Sequence, residues 1–338
     1  MKNKLIKGLL YILGALAIGY IIINTNWKEV WFHISSISPK IMILLLLFQC
    51  ITLLLLSIQW RAMALRVKKD VAFLDVLMVN VKGNIVDAIT PGVKTGGELA
   101  RVYELKKRLN IELGDATIII GLQKTISLFS FLLLTLFSLI CFSFSMGKQY
   151  RSYLYIFSLV IGIFAIVLAI LIIFSFKPNM MIKMLNKALG KYKFMDKVEK
   201  TLLDYSTIIK GLLKDKKKFT LQLLLAIFIW LFYAFKLLFV MKGFAVEIDY
   251  ISIAAITFLS YIIGMLPLLP GSIGSFEGSM LLLLAIKGVP IEIGLSISFV
   301  FRFVTFWFEF LISFIILLLN NIILFLKKGE KSVGIKAR

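Results

Sequence analysis

Glu98 and Glu277 each fall seven residues after the proline of a Pro-Gly pair, in the segments 91–98 (PGVKTGGE) and 270–277 (PGSIGSFE). Both sit in apolar surroundings, where an ionised side chain is costly and by default marks function. Basic residues follow each of them: Arg101 and Lys124 after Glu98, and Arg302 after Glu277. Glu309 lies seven residues beyond Arg302, which is two turns along the same face of a regular helix. Such a set could grip a phosphate between cations, or carry a proton on a carboxylate. A purely structural Arg302–Glu309 salt bridge accounts for those two residues equally well.

The pairs Pro91-Gly92 and Pro270-Gly271 suit the start of a new helix after a break. Proline fixes φ and lacks an N–H, as the first turn requires, and glycine permits a tight reversal and close approach of a ligand. The unpaired N–H groups and positive end of such a helix favour an anion, and a phosphate head group is a natural guest. This places Glu98 and Glu277 about two turns into the new helices. The alternative is that the pairs are only kinks that let helices pack.

What must position these residues is a membrane. Of 338 residues, 60% are hydrophobic, and the mean hydropathy is +0.96. The apolar residues come in runs of about twenty, the length that crosses a hydrocarbon core. Clear spans are predicted at about 5–23, 41–60, 114–145, 153–176, 219–241 and 291–319. The first follows Lys2, Lys4 and Lys7 and is too long for a signal-peptide core, so it reads as a retained span. Cys50 and Cys141 lie in apolar runs as small hydrophobes, and His33 sits beside Trp27, Trp31 and Phe32 at an interface. Lys236 and Lys287 read as snorkelling near helix ends. No P-loop, metal-ligand cluster or Ser/His/Asp set is present, so neither an enzyme nor a cofactor is expected.

The net charge of +21 reflects loops facing anionic lipid rather than nucleic acid. Segments 1–7, 61–70, 91–113, 177–218 and 327–338 carry 29 Lys and Arg, against five in 24–40, 146–152 and 242–250. The positive-inside rule then places both termini in the cytoplasm of a multi-pass cell-membrane protein. Segment 177–218 holds twelve lysines, with Met181, Ile182, Met184, Leu185 and Leu189 at helical spacing. It reads as amphipathic helices on the inner leaflet, with a regulatory or partner site as the alternative. Residues 327–338 read as a basic cytoplasmic flap.

Segments 71–90 and 251–290 do not fit as simple spans. The first carries Asp75, Asn80, Lys82, Asn84 and Asp87 between two basic loops, and the second is broken by Pro267, Pro270, Gly271, Gly274 and Gly278. Each is predicted to be a re-entrant pair of half-helices. The two also read as repeats: besides the Pro-Gly…Glu segments, Ile111-Glu112-Leu113-Gly114 is echoed by Ile291-Glu292-Ile293-Gly294, followed by Lys124 and Arg302, with convergent turn composition as the alternative. The predicted topology inverts one unit relative to the other, the arrangement that builds midplane sites in transporters. The fold class expected is an all-α polytopic membrane bundle of six full spans and two inverted re-entrant pairs. It forms one domain over 1–326, with repeats at about 41–145 and 219–319.

The stretches PGVKTGGELARVYELKKR and LPLLPGSIGSFEGSM, with the span bearing Arg302, resemble the integral-membrane, flippase-like domain of the lysylphosphatidylglycerol synthases. The resemblance runs over about residues 5–325. Pro91, Gly92, Gly97, Glu98 and Arg101 match its first motif; Pro267, Pro270, Gly271, Gly274 and Glu277 match the second, and Arg302 the third. Relatives tend to have an acid then Arg where this chain has Gln123-Lys124, which weakens the expectation of an ion pair in the first unit. No segment resembles the soluble aminoacyl-transferase domain of the fused synthases, so synthase activity is not implied. The resemblance implies translocation of a lipid, aminoacylated in the best-known relatives, between leaflets. A membrane-embedded enzyme on lipid-linked substrates, or a scaffold for a lipid-modifying enzyme, is the alternative.

Overall fold

A computed structural model describes residues 25–90, 95–145, 151–189, 195–266 and 272–336. The first predicted span, Pro91, Gly92, Pro267, Pro270 and Gly271 lie outside the described residues. Among the described residues all regular structure is helical. In chain order the helices are α1 (Trp27–Ser35), α2 (Pro39–Ala64), α3 (Phe73–Ile89), α4 (Thr95–Leu109) and α5 (Leu113–Ser145). There follow α6 (Arg151–Phe176), α7 (Pro178–Leu189), α8 (Met195–Lys214), α9 (Lys216–Gly243), α10 (Tyr250–Gly264) and α11 (Ser275–Ile286). The last are α12 (Ile291–Arg302), a π-helical turn (Phe303–Trp307) and α13 (Phe308–Lys336).

Four described helical runs are long and apolar enough to cross a membrane: Pro39–Ala64, Leu113–Phe144, Lys216–Gly243 and Ile291–Leu326. Their ends follow ordinary rules. Pro39 occupies the first turn of α2, and the Asp215 carboxylate caps α9 by accepting from the Lys218 N–H at 3.2 Å. Bonding from Lys218 holds the Asp215 carboxyl below its ordinary range. Asp249 caps α10 in the same way, accepting from Ser252 N–H at 2.8 Å.

Of the two irregular segments, 251–290 is broken into α10 and α11, whereas 71–90 is not a pair of half-helices: its polar residues fall within one continuous helix, α3, and the next helix, α4, begins only at Thr95. Helices α3 and α4 pack against each other, as do α10 and α11. One boundary differs from expectation: 91–113 is not a basic loop. Its residues 95–109 form α4, with Arg101 and Glu104 buried and Lys106, Lys107 and Arg108 gathered in its last turn. The stretch alternates helix formers with charges, and the loop assignment weighed the charges alone. The tail differs too, since α13 continues as helix to Lys336 instead of ending before a flap.

Two apolar cores hold the bundle. The larger joins α2, α5, α6, α9, α10, α11 and α12 around Phe131, Phe258, Leu237 and Phe301. The smaller packs α3, α4, α8 and the adjoining parts of α2 and α5 around Trp60, Leu105, Ile119 and Leu122. Exposed Leu, Ile and Phe side chains run along α2, α6 and α13, as on a surface solvated by lipid.

Candidate functional site

Arg101, on α4, is the hub of the first unit. Its Nη1 lies 3.0 Å from Asp87 Oδ2 and 3.3 Å from Glu98 Oε1, and its Nη2 donates to Asn84 Oδ1 at 2.7 Å. The guanidinium also lies 5.6 Å from the Trp60 ring. Lys124, one long helix further on, reaches Glu98 Oε1 at 2.7 Å. An ion pair therefore does form in the first unit, despite the departure at Gln123-Lys124. Glu98 keeps its other oxygen, Oε2, buried with no hydrogen-bond partner among the described residues.

Close approach of α3 and α4 makes this cluster possible. The Gly97 N–H donates to Asp87 Oδ1 at 3.0 Å, and a Cβ on Gly97 would stand 2.2 Å from Asp87 Cγ. Gly83 is held similarly, since its Cβ would stand 2.4 Å from Arg101 Nε. Gly97→Ala is expected to destabilise the protein by about 1–3 kcal/mol, because the displaced Asp87 is already fixed by two donors. Thermal unfolding in detergent measures this against Gly162→Ala, where a Cβ meets nothing within 4 Å and the melting temperature should not fall.

In the second unit the same order of parts recurs. Gly274, at φ 83°, is the N-cap of α11, a backbone conformation that favours glycine. Its N–H donates to Glu277 Oε2 at 2.7 Å, and Glu277 Oε1 lies 3.4 Å from Arg302 Nε. Arg302 also lies over Phe276 at 5.0 Å and Phe306 at 4.2 Å. Each unit thus pairs the Glu after its Pro-Gly with a base on the next long helix: Glu98 with Lys124, Glu277 with Arg302. Both acids stand in the first turn of their helices, not two turns in, because α4 and α11 start at Thr95 and Ser275, several residues after the Pro-Gly pairs.

Arg302 ends α12 and the π-helical turn begins at the next residue. A π turn inserts one residue, so the face relation between Arg302 and Glu309 is not that of a regular helix. Glu309 accepts from Gln49 Nε2 at 2.9 Å. Gln49 Oε1 in turn accepts from Lys236 Nζ at 2.5 Å, and Lys236 also donates to Thr52 at 3.0 Å and lies 3.8 Å from the Tyr233 ring. Lys236 therefore does not snorkel. It is fully buried well inside the 28-residue α9, too far from water to reach it along its own stem. Lys287, by contrast, does sit at the end of α11, over the Phe142 ring.

Both units meet at one small cavity of about 50 Å³, whose walls mix polar side chains with Ala88, Phe306 and Phe310. Asn84 and Asp87 line it from α3; Tyr233 and Tyr261 from α9 and α10; Arg302, Thr305 and Glu309 from the chain around the π turn. Of the residues singled out by sequence, the structure brings Arg302 and Glu309 to the wall, with Arg101 and Glu277 directly behind. Glu98 and Lys124 form the next shell through Arg101, and Gly97 and Gly274 hold the backbone that aims them. Asp87, Asn84, Gln49, Lys236, Tyr233 and Tyr261 were missed as site residues.

Comparison with known proteins settles the family. Residues 5–313 match the lysylphosphatidylglycerol synthase transmembrane region. The chain belongs to that family. Within the lysylphosphatidylglycerol synthase transmembrane-region family, this chain is similar to a UPF0104 membrane protein of Methanothermobacter thermautotrophicus, 24% identical over 91% of this chain and 93% of the relative. It also resembles UPF0104 membrane proteins of Methanocaldococcus jannaschii, 24% identical over 98% and 100% of the two chains, and of Pyrococcus horikoshii, 22% identical over 83% and 88%. This family membership and the long apolar helices make the chain a multi-pass membrane protein.

Proposed function

We propose that this protein is a lipid translocase, passing the polar head group of a phospholipid or polyprenyl phosphate between leaflets through the cavity shared by its two units. The observation that carries this reading is the joint lining of that cavity by Asp87 and Asn84 of the first unit and Arg302 and Glu309 of the second. Corresponding parts in corresponding order, each ending in a Glu–base pair, support a duplicated unit inverted across the cell membrane, with re-entrant helix pairs and both termini cytoplasmic. The family description names a synthase that makes an amino-acid-bearing phospholipid, which fits a lipid substrate, with a lipid-modifying enzyme as a natural partner.

Charge balance sharpens the substrate. Arg101, Lys124 and Arg302 pair with Asp87, Glu98 and Glu277, three cations against three anions. A phosphate entering this set must displace a carboxylate from its base, which is least costly if the head group brings a cation for that carboxylate. A zwitterionic or aminoacylated head group does so, with phosphate on Arg302 and amine on Glu309 or Asp87. The cavity has room for a few waters but not for a head group, so passage requires α3 and α13 to separate.

Reconstitution in vesicles with fluorescent lipids of anionic, zwitterionic and aminoacylated head groups tests this. Translocation faster than in empty vesicles for at least one class is expected. Equal rates across the whole panel would remove the proposal.

A further inference from the structure

The basic segment 177–218 takes no part in the cavity described above, yet it builds a second one. A depression of about 540 Å³ opens where α6 gives way to α7, with α8 packed against both. That is the size of a small-molecule pocket, and it is open to the surface. Lys177, between α6 and α7, and Lys210, on α8, line it, and no acidic residue does. Among the described residues neither lysine makes an ion pair.

Ser206 supplies a second, independent sign. It lines the depression, is 2% exposed, and its Oγ has no hydrogen-bond partner among the described residues. Serines in apolar helices commonly donate to the carbonyl four residues back, as the neighbouring Thr207 does to Leu203 O at 3.0 Å. A buried hydroxyl without a partner is costly, and a ligand oxygen that accepts from it recovers that cost. The start of α7 adds little, because the carbonyl end of α6 abuts it and offsets its dipole. Exposed Met180 and Leu203 continue the wall as an apolar flank.

We propose that this depression binds the phosphate of an anionic lipid, held between Lys177 and Lys210 with Ser206 donating to a phosphate oxygen and the glycerol and acyl chains lying over Met180 and Leu203. The apolar run of α6 ends at Phe176, immediately before Lys177, which is the depth at which a phosphate layer sits. The site is separate from the Asp87–Arg302 cavity, so loss of binding here and loss of translocation are distinguishable results.

Native mass spectrometry of the full chain in detergent, titrated with phosphatidylglycerol, phosphatidylcholine or inorganic phosphate, tests it. K177A/K210A is expected to weaken phosphatidylglycerol retention about tenfold or more, since each lysine near an anionic lipid contributes substantially. K183A/K187A, which removes two exposed lysines of α7 that do not line the depression, should leave retention near wild type. K177R/K210R should restore it, and Ser206→Val should weaken it with helical content unchanged. Competition by millimolar phosphate would assign the site to free phosphate, and its absence to the lipid; both keep the phosphate chemistry. Equal phosphatidylglycerol retention in wild type and K177A/K210A, or an equal loss in K183A/K187A, would overturn the proposal.

Discussion

Replacing Arg101 by methionine is expected to cost about 3–5 kcal/mol of stability, the most damaging single change in the first unit. The guanidinium and its partner Asp87 are each only 7% exposed, so neither charge can turn to water when the other is removed. Methionine fills much of the volume but leaves Asp87, Asn84 and Glu98 without their common donor. Asp87 retains only the Gly97 N–H, and Glu98 retains Lys124. The double change Arg101→Met/Asp87→Leu removes the stranded charge as well, and should recover a large part of the loss. Thermal and denaturant unfolding of the two variants in detergent measures both. A single variant within about 0.5 kcal/mol of wild type would mean that the cluster is solvated and not a buried hub.

Replacing Arg302 by glutamine is expected to slow translocation about ten- to hundredfold, since a charge-assisted hydrogen bond to phosphate contributes about 1.5–3 kcal/mol. Glutamine can still donate to Glu277 and lie against Phe276 and Phe306, so the fold should survive better than after loss of Arg101. Arg302 reaches the cavity wall, whereas Arg101 stands behind Asp87. Vesicle assays with Arg302→Gln and Arg302→Lys separate charge from geometry. Lysine keeps the charge without the planar fork and should restore only part of the rate. Wild-type rates in Arg302→Gln would show that phosphate does not pass this residue.

The sequence made the bundle legible because membrane-crossing runs are long and their composition is unambiguous. Helices α2, α5, α6 and α9 lie where the apolar runs placed them, and the breaks near both Pro-Gly pairs fall between α3 and α4 and between α10 and α11. The Glu–base pairs were legible because the same residue types stand in the same order after both Pro-Gly pairs. What escaped was what only three-dimensional packing assembles. Asp87 meets Arg101 because Gly97 and Gly83 let two helices touch, and no spacing rule announces that contact. Gln49 and Lys236 stand 187 residues apart yet share a proton-bearing contact in the core. A signal for Lys236 did exist, since an ionisable lysine inside an apolar run marks a site by the same reasoning as a glutamate. The π turn after Arg302 was illegible because no residue in FVTFW encodes it.

The central claim is that head groups pass through the space between Asp87 and Arg302. Ala88 lines that space, carries no charge and holds none of the ion pairs. Translocation of labelled lipid by Ala88→Trp in vesicles therefore tests the path alone, with the unfolding temperature recorded in parallel. The account predicts a folded protein whose translocation falls to the level of empty vesicles. A folded Ala88→Trp that moves lipid at the wild-type rate would contradict it.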